Sequence, residues 1–387
     1  MKKIAVITAT RAEFGLLLPV IKELRRQETK DLKIEVLVTG THLSDQYGLT
    51  VREIEESGVR IDHRIRIPVK SDSELDISTN QAETLVKFTE IFSEKHYNAI
   101  ILLGDRYETL AIAIAAGNTR TPVFHLCGGD TTEGALDEWI RHSITKISYL
   151  HFTTNDESRR RVIQLGENPK RVFNYGSTSI DNIISAARLT KKEALSSTGL
   201  DDCSYSLCTY HPVTMNGESV DVQIDTFLEA VNHFPDIQFV VTKSNADQGG
   251  ARINQILDAA QEKIRNLHVF TSLGIERYLS LMKSAEFVLG NSSSGIIETP
   301  AFHIPTVNIG DRQRGRLRAG NIIDCEDNTE SIVMAIKKAL SQEFKAVCQK
   351  TINPYGDGHA GAQIANKCIE TVQKGNIDLR KKFYDLE

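Results

Sequence analysis

After its first strand-like run this 387-residue sequence reads Thr8-Ala9-Thr10-Arg11-Ala12-Glu13-Phe14-Gly15, with no G-x-G-x-x-G. Without glycines that let a backbone close on a pyrophosphate, a bound dinucleotide is not expected. No Gly-Lys dipeptide occurs, so there is no P-loop. Neither an H-E-x-x-H nor a Cys/His cluster with ligand spacing is present, so no resident metal is expected, and no cofactor of any kind. A G-x-S-x-G nucleophile elbow is also missing. The six cysteines, Cys127, Cys203, Cys208, Cys325, Cys348 and Cys368, form no C-x-x-C pair. They read as free thiols of a reducing compartment. Ile4 to Thr8 is too short for a signal peptide, and no apolar stretch reaches membrane-spanning length, so a cytoplasmic protein without membrane partners is expected. Neither charge dominates: 46 basic and 51 acidic residues leave a net charge of −5. No global basic field exists to hold nucleic acid.

What is present is a repeated alternation of short apolar runs and amphipathic helices. The length suits two α/β domains. Ile4 to Thr8, Ile34 to Thr39, Ala99 to Leu103 and Val123 to Leu126 lack two-residue alternation, which suits parallel strands covered on both faces. Phe14, Leu17, Leu18, Ile21 and Leu24 recur at helical spacing between the first two. Strand, helix, strand order implies right-handed crossovers and a doubly wound sheet. A polar, helix-forming connector spans Ile180 to Ser204. A second series follows at Tyr205 to Tyr210, Ile237 to Thr242, Leu267 to Phe270, Phe287 to Leu289 and Pro305 to Ile309. The expected division is residues 1–180 and 181–359, with the segment 360–387 packing back on the first domain.

Ligands of such sheets sit at the carboxyl ends of strands, and the unusual polar clusters fall there. Gly290-Asn291-Ser292-Ser293-Ser294-Gly295 is a strand-to-helix turn whose small residues let N–H groups approach an anion. Glu298 in the following helix can accept from ribose hydroxyls. Four arginines, Arg312, Arg314, Arg316 and Arg318, follow another strand beside Gly315 and Gly320 and form a candidate anion clamp. Arg159-Arg160-Arg161 lies on a regular helix and is assigned to solvent. Asp105, Asp130, Glu133, Asp137 and Glu138 crowd after adjacent strands, where carboxylates can exchange protons near neutrality. His211, before Pro212 at a strand end, also faces the expected cleft. Read this far, the chain is a two-domain α/β enzyme for a phosphorylated ligand. A glycosyltransferase and a sugar-nucleotide epimerase both fit.

The ordered set Thr10-Arg-Ala-Glu-Phe-Gly15, Gly104-Asp-Arg-Tyr-Glu108, Asp137-Glu-Trp-Ile-Arg-His142, His211-Pro-Val-Thr214, Gly290-Asn-Ser-Ser-Ser-Gly295 and Asn308-Ile-Gly-Asp-Arg-Gln313 resembles the hydrolysing UDP-N-acetylglucosamine 2-epimerases, the bacterial sialic-acid branch in particular. The likeness runs from about Lys2 to Asp324. The absence of any Tyr-x-x-x-Lys pair separates the chain from NAD-dependent sugar epimerases. The resemblance implies a glycosyltransferase-B-like fold, two Rossmann-like domains with the active site in the cleft between them. It implies a homodimer or homotetramer. The implied reaction takes UDP-N-acetylglucosamine and water to N-acetylmannosamine and UDP, by elimination to 2-acetamidoglucal and hydration. By motif position Asp105 and Asp137 match catalytic acids, and His211 a phosphate-contacting histidine. Arg11 and Arg106 match substrate contacts, Ser292, Ser293 and Glu298 the UDP-binding turn, and Arg312 and Arg316 ligand-side arginines. One departure stands out. Many members carry a catalytic Glu where this chain has Cys127, in His125-Leu-Cys-Gly-Gly-Asp130. Asp130 or Glu133 is then expected to take over its role, or the sugar is a bacillosamine-type one.

Overall fold

Short apolar strands with helical crossovers organise the chain into two units, residues 1–182 with 358–387, and residues 183–357. In this computed structural model the structure describes residues 1–45, 49–69, 73–131, 137–213, 219–244, 250–314 and 316–386. Among them no helix is long and apolar enough to cross a membrane.

Unit 1 runs β1 (Lys2–Thr8), α1 (Arg11–Arg26), β2 (Leu32–Val38), α2 (Val51–Glu56), β3 (His63–Arg64), α3 (Glu74–Lys95) and β4 (Ala99–Leu103). It continues with α4 (Tyr107–Asn118), β5 (Val123–Leu126), α5 (Asp137–Ile147), β6 (Leu150–Thr153), α6 (Asp156–Gln164), β7 (Val172–Asn174) and α7 (Thr178–Ala186), which crosses the boundary. Its sheet is parallel throughout, in the order β3-β2-β1-β4-β5-β6-β7. Successive strand residues face opposite sides. Ile4 and Val6 therefore enter the core shared with α1, and Ala5 and Ile7 the core shared with α3, α4 and α5. Burial of each such isoleucine contributes roughly 1.5–3 kcal/mol. Of the helical pattern after β1, Phe14, Leu17, Ile21 and Leu24 are buried, and Leu18 packs at the margin.

Unit 2 runs α8 (Lys191–Ser196), β8 (Tyr205–Thr209), α9 (Val220–Asn232), β9 (Gln238–Thr242), α10 (Gly250–Gln261), β10 (Leu267–Phe270), α11 (Gly274–Ser284) and β11 (Phe287–Gly290). Then come α12 (Ser294–Ile297), β12 (Thr306–Ile309), β13 (Ile322–Cys325), α13 (Thr329–Leu340) and α14 (Gln342–Gln349). Its parallel sheet has the order β10-β9-β8-β11-β12-β13. The last helix, α15 (Ala360–Lys374), belongs to unit 1. Its buried Ile364, Ala365, Cys368 and Val372 join the core of α1, and Gly361 meets Pro19 where a Cβ would lie 2.7 Å from the proline Cβ.

Both sheets are the doubly wound kind expected. Strands β3, β6, β7 and β13 have only two to four residues and carry no apolar run that sequence alone marks as a strand. One assignment is corrected. Arg159 and Arg161 are not left to solvent: Arg159 Nε donates to Val172 O at 3.1 Å and Arg161 Nη1 to Gly129 O at 3.2 Å. Each reaches a backbone carbonyl from its own side of α6, and of the three arginines only Arg160 is exposed.

Candidate functional site

The switch point of unit 1 lies between β1 and β4, whose order reverses there. At the end of β1 Thr10 caps α1. Glu13 N–H donates to Thr10 Oγ1 at 3.4 Å, and Glu13 Oε2 accepts from Ala9 N–H at 2.9 Å and Thr10 N–H at 3.3 Å. This reciprocal box fixes the turn and leaves Arg11 exposed, 3.9 Å from Glu53. At the end of β4 Gly104 turns with φ +86° and presents Asp105 and Arg106. The fully buried His125 on β5 holds that turn, its Nε2 2.8 Å from Gly104 O. Burial pushes the His125 ring down to about 3. A neutral ring facing a carbonyl carries its proton on Nε2, leaving Nδ1 toward Thr145 Oγ1 at 3.5 Å.

Two of the carboxylates, Asp105 and Glu138, converge on one buried cation. Arg141 on α5 donates from Nε to Asp105 Oδ2 at 2.9 Å, with Nη2 on the same oxygen. Its Nη1 donates to the Asp130 carbonyl at 2.6 Å and to Glu138 Oε2 at 3.1 Å. A buried guanidinium needs such partners to offset its desolvation. Glu138 also meets His142 Nε2 at 3.2 Å. Asp130 Oδ1 accepts the hydroxyls of Thr154 at 2.9 Å and Ser158 at 2.5 Å. Gly129, at φ +82°, sits where a Cβ would be 2.2 Å from Ser158 O, so only glycine lets the chain pass. The Cys127 thiol is pushed well above its ordinary range by burial and by the charges of Asp130 and Asp105. It stays protonated at neutral pH and supplies neither base nor nucleophile.

Asp105, Asp130, Glu138 and Arg106 are thus brought to one rim, with Arg106 Nε on Glu108 at 2.6 Å. Asp137 opens α5 and is exposed. Glu133 lies outside the described residues, as do Thr214 and Gly315. Arg141 and His142 were not singled out. Their signal was available: Glu138, Arg141 and His142 at i, i+3 and i+4 share one helix face.

Unit 2 builds its rim from backbone. Gly290 is at φ +140°, with a Cβ position 2.0 Å from Thr209 O, so β8 and β11 approach too closely for a side chain. Asn291, fully buried, accepts His211 N–H at 2.7 Å and donates to His211 O at 2.8 Å. His211 Nδ1 lies 3.1 Å from Ser244 Oγ. Gln313 Nε2 and Arg312 Nη1 donate to Asn291 O at 2.9 and 3.3 Å. Ser292 and Ser293 remain partly exposed beside this frame. Helix α12 is a single turn, so the pull on an anion rests on close backbone N–H groups more than on a summed dipole. Glu298 closes that turn, receives Ser294 Oγ at 2.5 Å, and its carboxyl is raised by burial. Of the four arginines, Arg318 is occupied by Asp324 at 2.8 Å. Arg312, Arg314 and Arg316 are exposed. Asn291 and Gln313 were missed because their roles depend on contacts 80 and 22 residues apart in the chain.

The UDP-N-acetylglucosamine 2-epimerase family profile matches residues 22–368. The chain belongs to this family. Among relatives of these epimerases, the GDP/UDP-N,N'-diacetylbacillosamine 2-epimerase (hydrolyzing) of Campylobacter jejuni is 40% identical, over all of this chain and 99% of its own. Polysialic acid biosynthesis protein P7 of Escherichia coli is 36% identical over all of this chain and 98% of its own. The UDP-N,N'-diacetylbacillosamine 2-epimerase (hydrolyzing) of Legionella pneumophila is 33% identical over 95% and 99%. The epimerase fold is shared as well. The crystal structure of the Neisseria meningitidis UDP-GlcNAc 2-epimerase bound to UDP-GlcNAc superposes with a TM-score of 0.77 at 18% identity, over 97% of this chain and 100% of that one.

Proposed function

We propose that this member of the family is a hydrolysing 2-epimerase of a UDP-linked 2-acetamido sugar. Full-length identity to relatives bearing that name carries the reading. The acidic, arginine and small polar residues gathered at the strand ends support it. A base removes the C2 proton while the C1–O bond breaks and UDP departs with its electron pair. Water then adds across the resulting double bond, oxygen to C1 and a proton to C2 on the opposite face. Asp105, Asp130, Glu133 and Asp137 are the proposed acid and base groups, with Arg141 fixing Asp105 beside the Asp130 turn. Arg11 and Arg106 are proposed to contact the substrate. His211, Ser292, Ser293, Arg312 and Arg316 hold the diphosphate, whose developing charge needs donors placed in advance, and Glu298 takes the ribose hydroxyls. His211 is also a candidate proton carrier.

UDP-N-acetylglucosamine is the first sugar to test, giving N-acetylmannosamine for sialic acid biosynthesis; the E. coli relative is named for polysialic acid biosynthesis. UDP-N,N'-diacetylbacillosamine is the second, favoured by the names of the Campylobacter and Legionella relatives. A cytoplasmic homodimer or homotetramer completes the proposal. Proton NMR of the purified chain in D2O with each sugar nucleotide in turn tests it. Free UDP with a 2-epimer deuterated at C2 is expected from one of them. An epimer still joined to UDP would assign the chain to the non-hydrolysing branch, and turnover only with an added acceptor to glycosyl transfer.

A further inference from the structure

Two buried carboxylates at the switch point of unit 1 have no part in the steps above. Glu13 follows β1 and Glu108 follows β4, neighbouring strands paired Val6 to Ile101. Glu13 is 7% exposed and Glu108 2%. Each has one oxygen employed: Glu13 Oε2 by the Ala9 and Thr10 N–H groups, Glu108 Oε1 by Arg106 Nε–H at 2.6 Å. The other oxygens, Glu13 Oε1 and Glu108 Oε2, are sealed from solvent and have no hydrogen-bond partner among the described residues. Helix capping accounts for Glu13 Oε2 and leaves Oε1 unexplained. Arg106 is the cation whose charge couples to both carboxylates. His42, on the turn after β2, adds none: burial lowers its ring to about 4, and its nitrogens meet the hydroxyls of Thr8 and Thr50.

Two enclosed carboxylates against one guanidinium leave a surplus buried negative charge, which a single retained proton removes. We infer that Glu13 is a neutral carboxylic acid at working pH and Glu108 the salt-bridge partner of Arg106, a pair of positioning residues that aim the Arg106 guanidinium at the sugar nucleotide. What Arg106 holds rests on the function proposed above; where the proton sits does not. Burial is the largest cause of the Glu13 shift to about 8, with Glu108 adding to it and the backbone donors and Arg106 opposing.

Infrared difference spectroscopy of the ligand-free protein tests the proton, and calorimetry tests the aim. Wild type is expected to show the carbonyl band of a protonated carboxyl at pH 7 that fades through about pH 8 and is missing in E13Q. No such band, or its survival in E13Q, overturns the assignment. The Kd for UDP-N-acetylglucosamine, read without turnover, is expected to weaken roughly tenfold in E108Q, the worth of one charge-assisted hydrogen bond. E13A is expected to weaken it too, with rescue by E13Q, whose amide keeps a neutral donor. An unchanged Kd in folded E108Q, checked by circular dichroism, overturns the positioning role. Absent turnover of wild type with the band intact would count against the function proposed and leave the proton assignment standing.

Discussion

The two units share one topology and spend it differently. At the rim of unit 1, side chains carry the charge: Arg141 holds Asp105 and Glu138, and Arg106 holds Glu108, through charge-assisted bonds. At the rim of unit 2 the frame is backbone. Gly290 brings two strands together, and Asn291 pins both backbone polar groups of His211. Long charged side chains suit proton transfer because burial and neighbours can tune them. Close-approach glycine and small residues suit an anion that must be met by N–H groups. The same strand order therefore carries a charged edge in one unit and a backbone-framed edge in the other, to which the proposed function gives the reaction and the holding of UDP.

That contrast can be broken by experiment, beginning where the effect is largest. Asp105→Asn is expected to lower kcat by about 10²–10⁴, the range for a lost acid or base group, while calorimetric UDP affinity stays near wild type. A matching loss of UDP affinity would erase the division of labour. Arg141→Met is expected to cost about 3–5 kcal/mol in denaturant unfolding, because Asp105 and Glu138 lose their shared buried cation. A stable R141M would mean the carboxylates find water instead. Ser292→Ala with Ser293→Ala is expected to weaken UDP roughly tenfold with little change in kcat.

Smaller effects sharpen the picture. The buried His125 ring is held down to about 3, so the unfolded chain takes a proton that the folded one refuses. Its contribution to stability is present above about pH 6.5 and is lost as pH falls toward 3. Thermal unfolding between pH 7 and 4 is expected to show that slope, and His125→Asn, which can still donate to Gly104 O, to flatten it. Smallest of all, Cys127→Ala is expected to keep kcat within about twofold, since a protonated thiol lends no charge. A tenfold loss would return Cys127 to the chemistry.

Much of this was legible in the residues. Apolar runs at Ile4, Ala99, Tyr205 and Phe287 marked the central strands, because strands covered on both faces cannot hide among polar neighbours. The strand-end positions of Asp105, Asp130, His211 and Ser292 were legible because they follow such strands. The edge strands β3, β7 and β13 were not, since short strands bury little and leave no run to read. Arg141, Asn291 and Gln313 were not legible as a group either.

By itself, then, the sequence determined the two doubly wound sheets, the strand ends where polar groups gather, and the family. Those follow from local apolar periodicity and from motifs in a fixed order. Only the tertiary structure decided which groups share a proton or a charge. It enclosed Glu13 with an oxygen that has no partner among the described residues, gave Arg141 its acceptors, and raised the Cys127 thiol by burial. Desolvation and hydrogen-bond geometry depend on residues distant in the chain, and no local pattern encodes them.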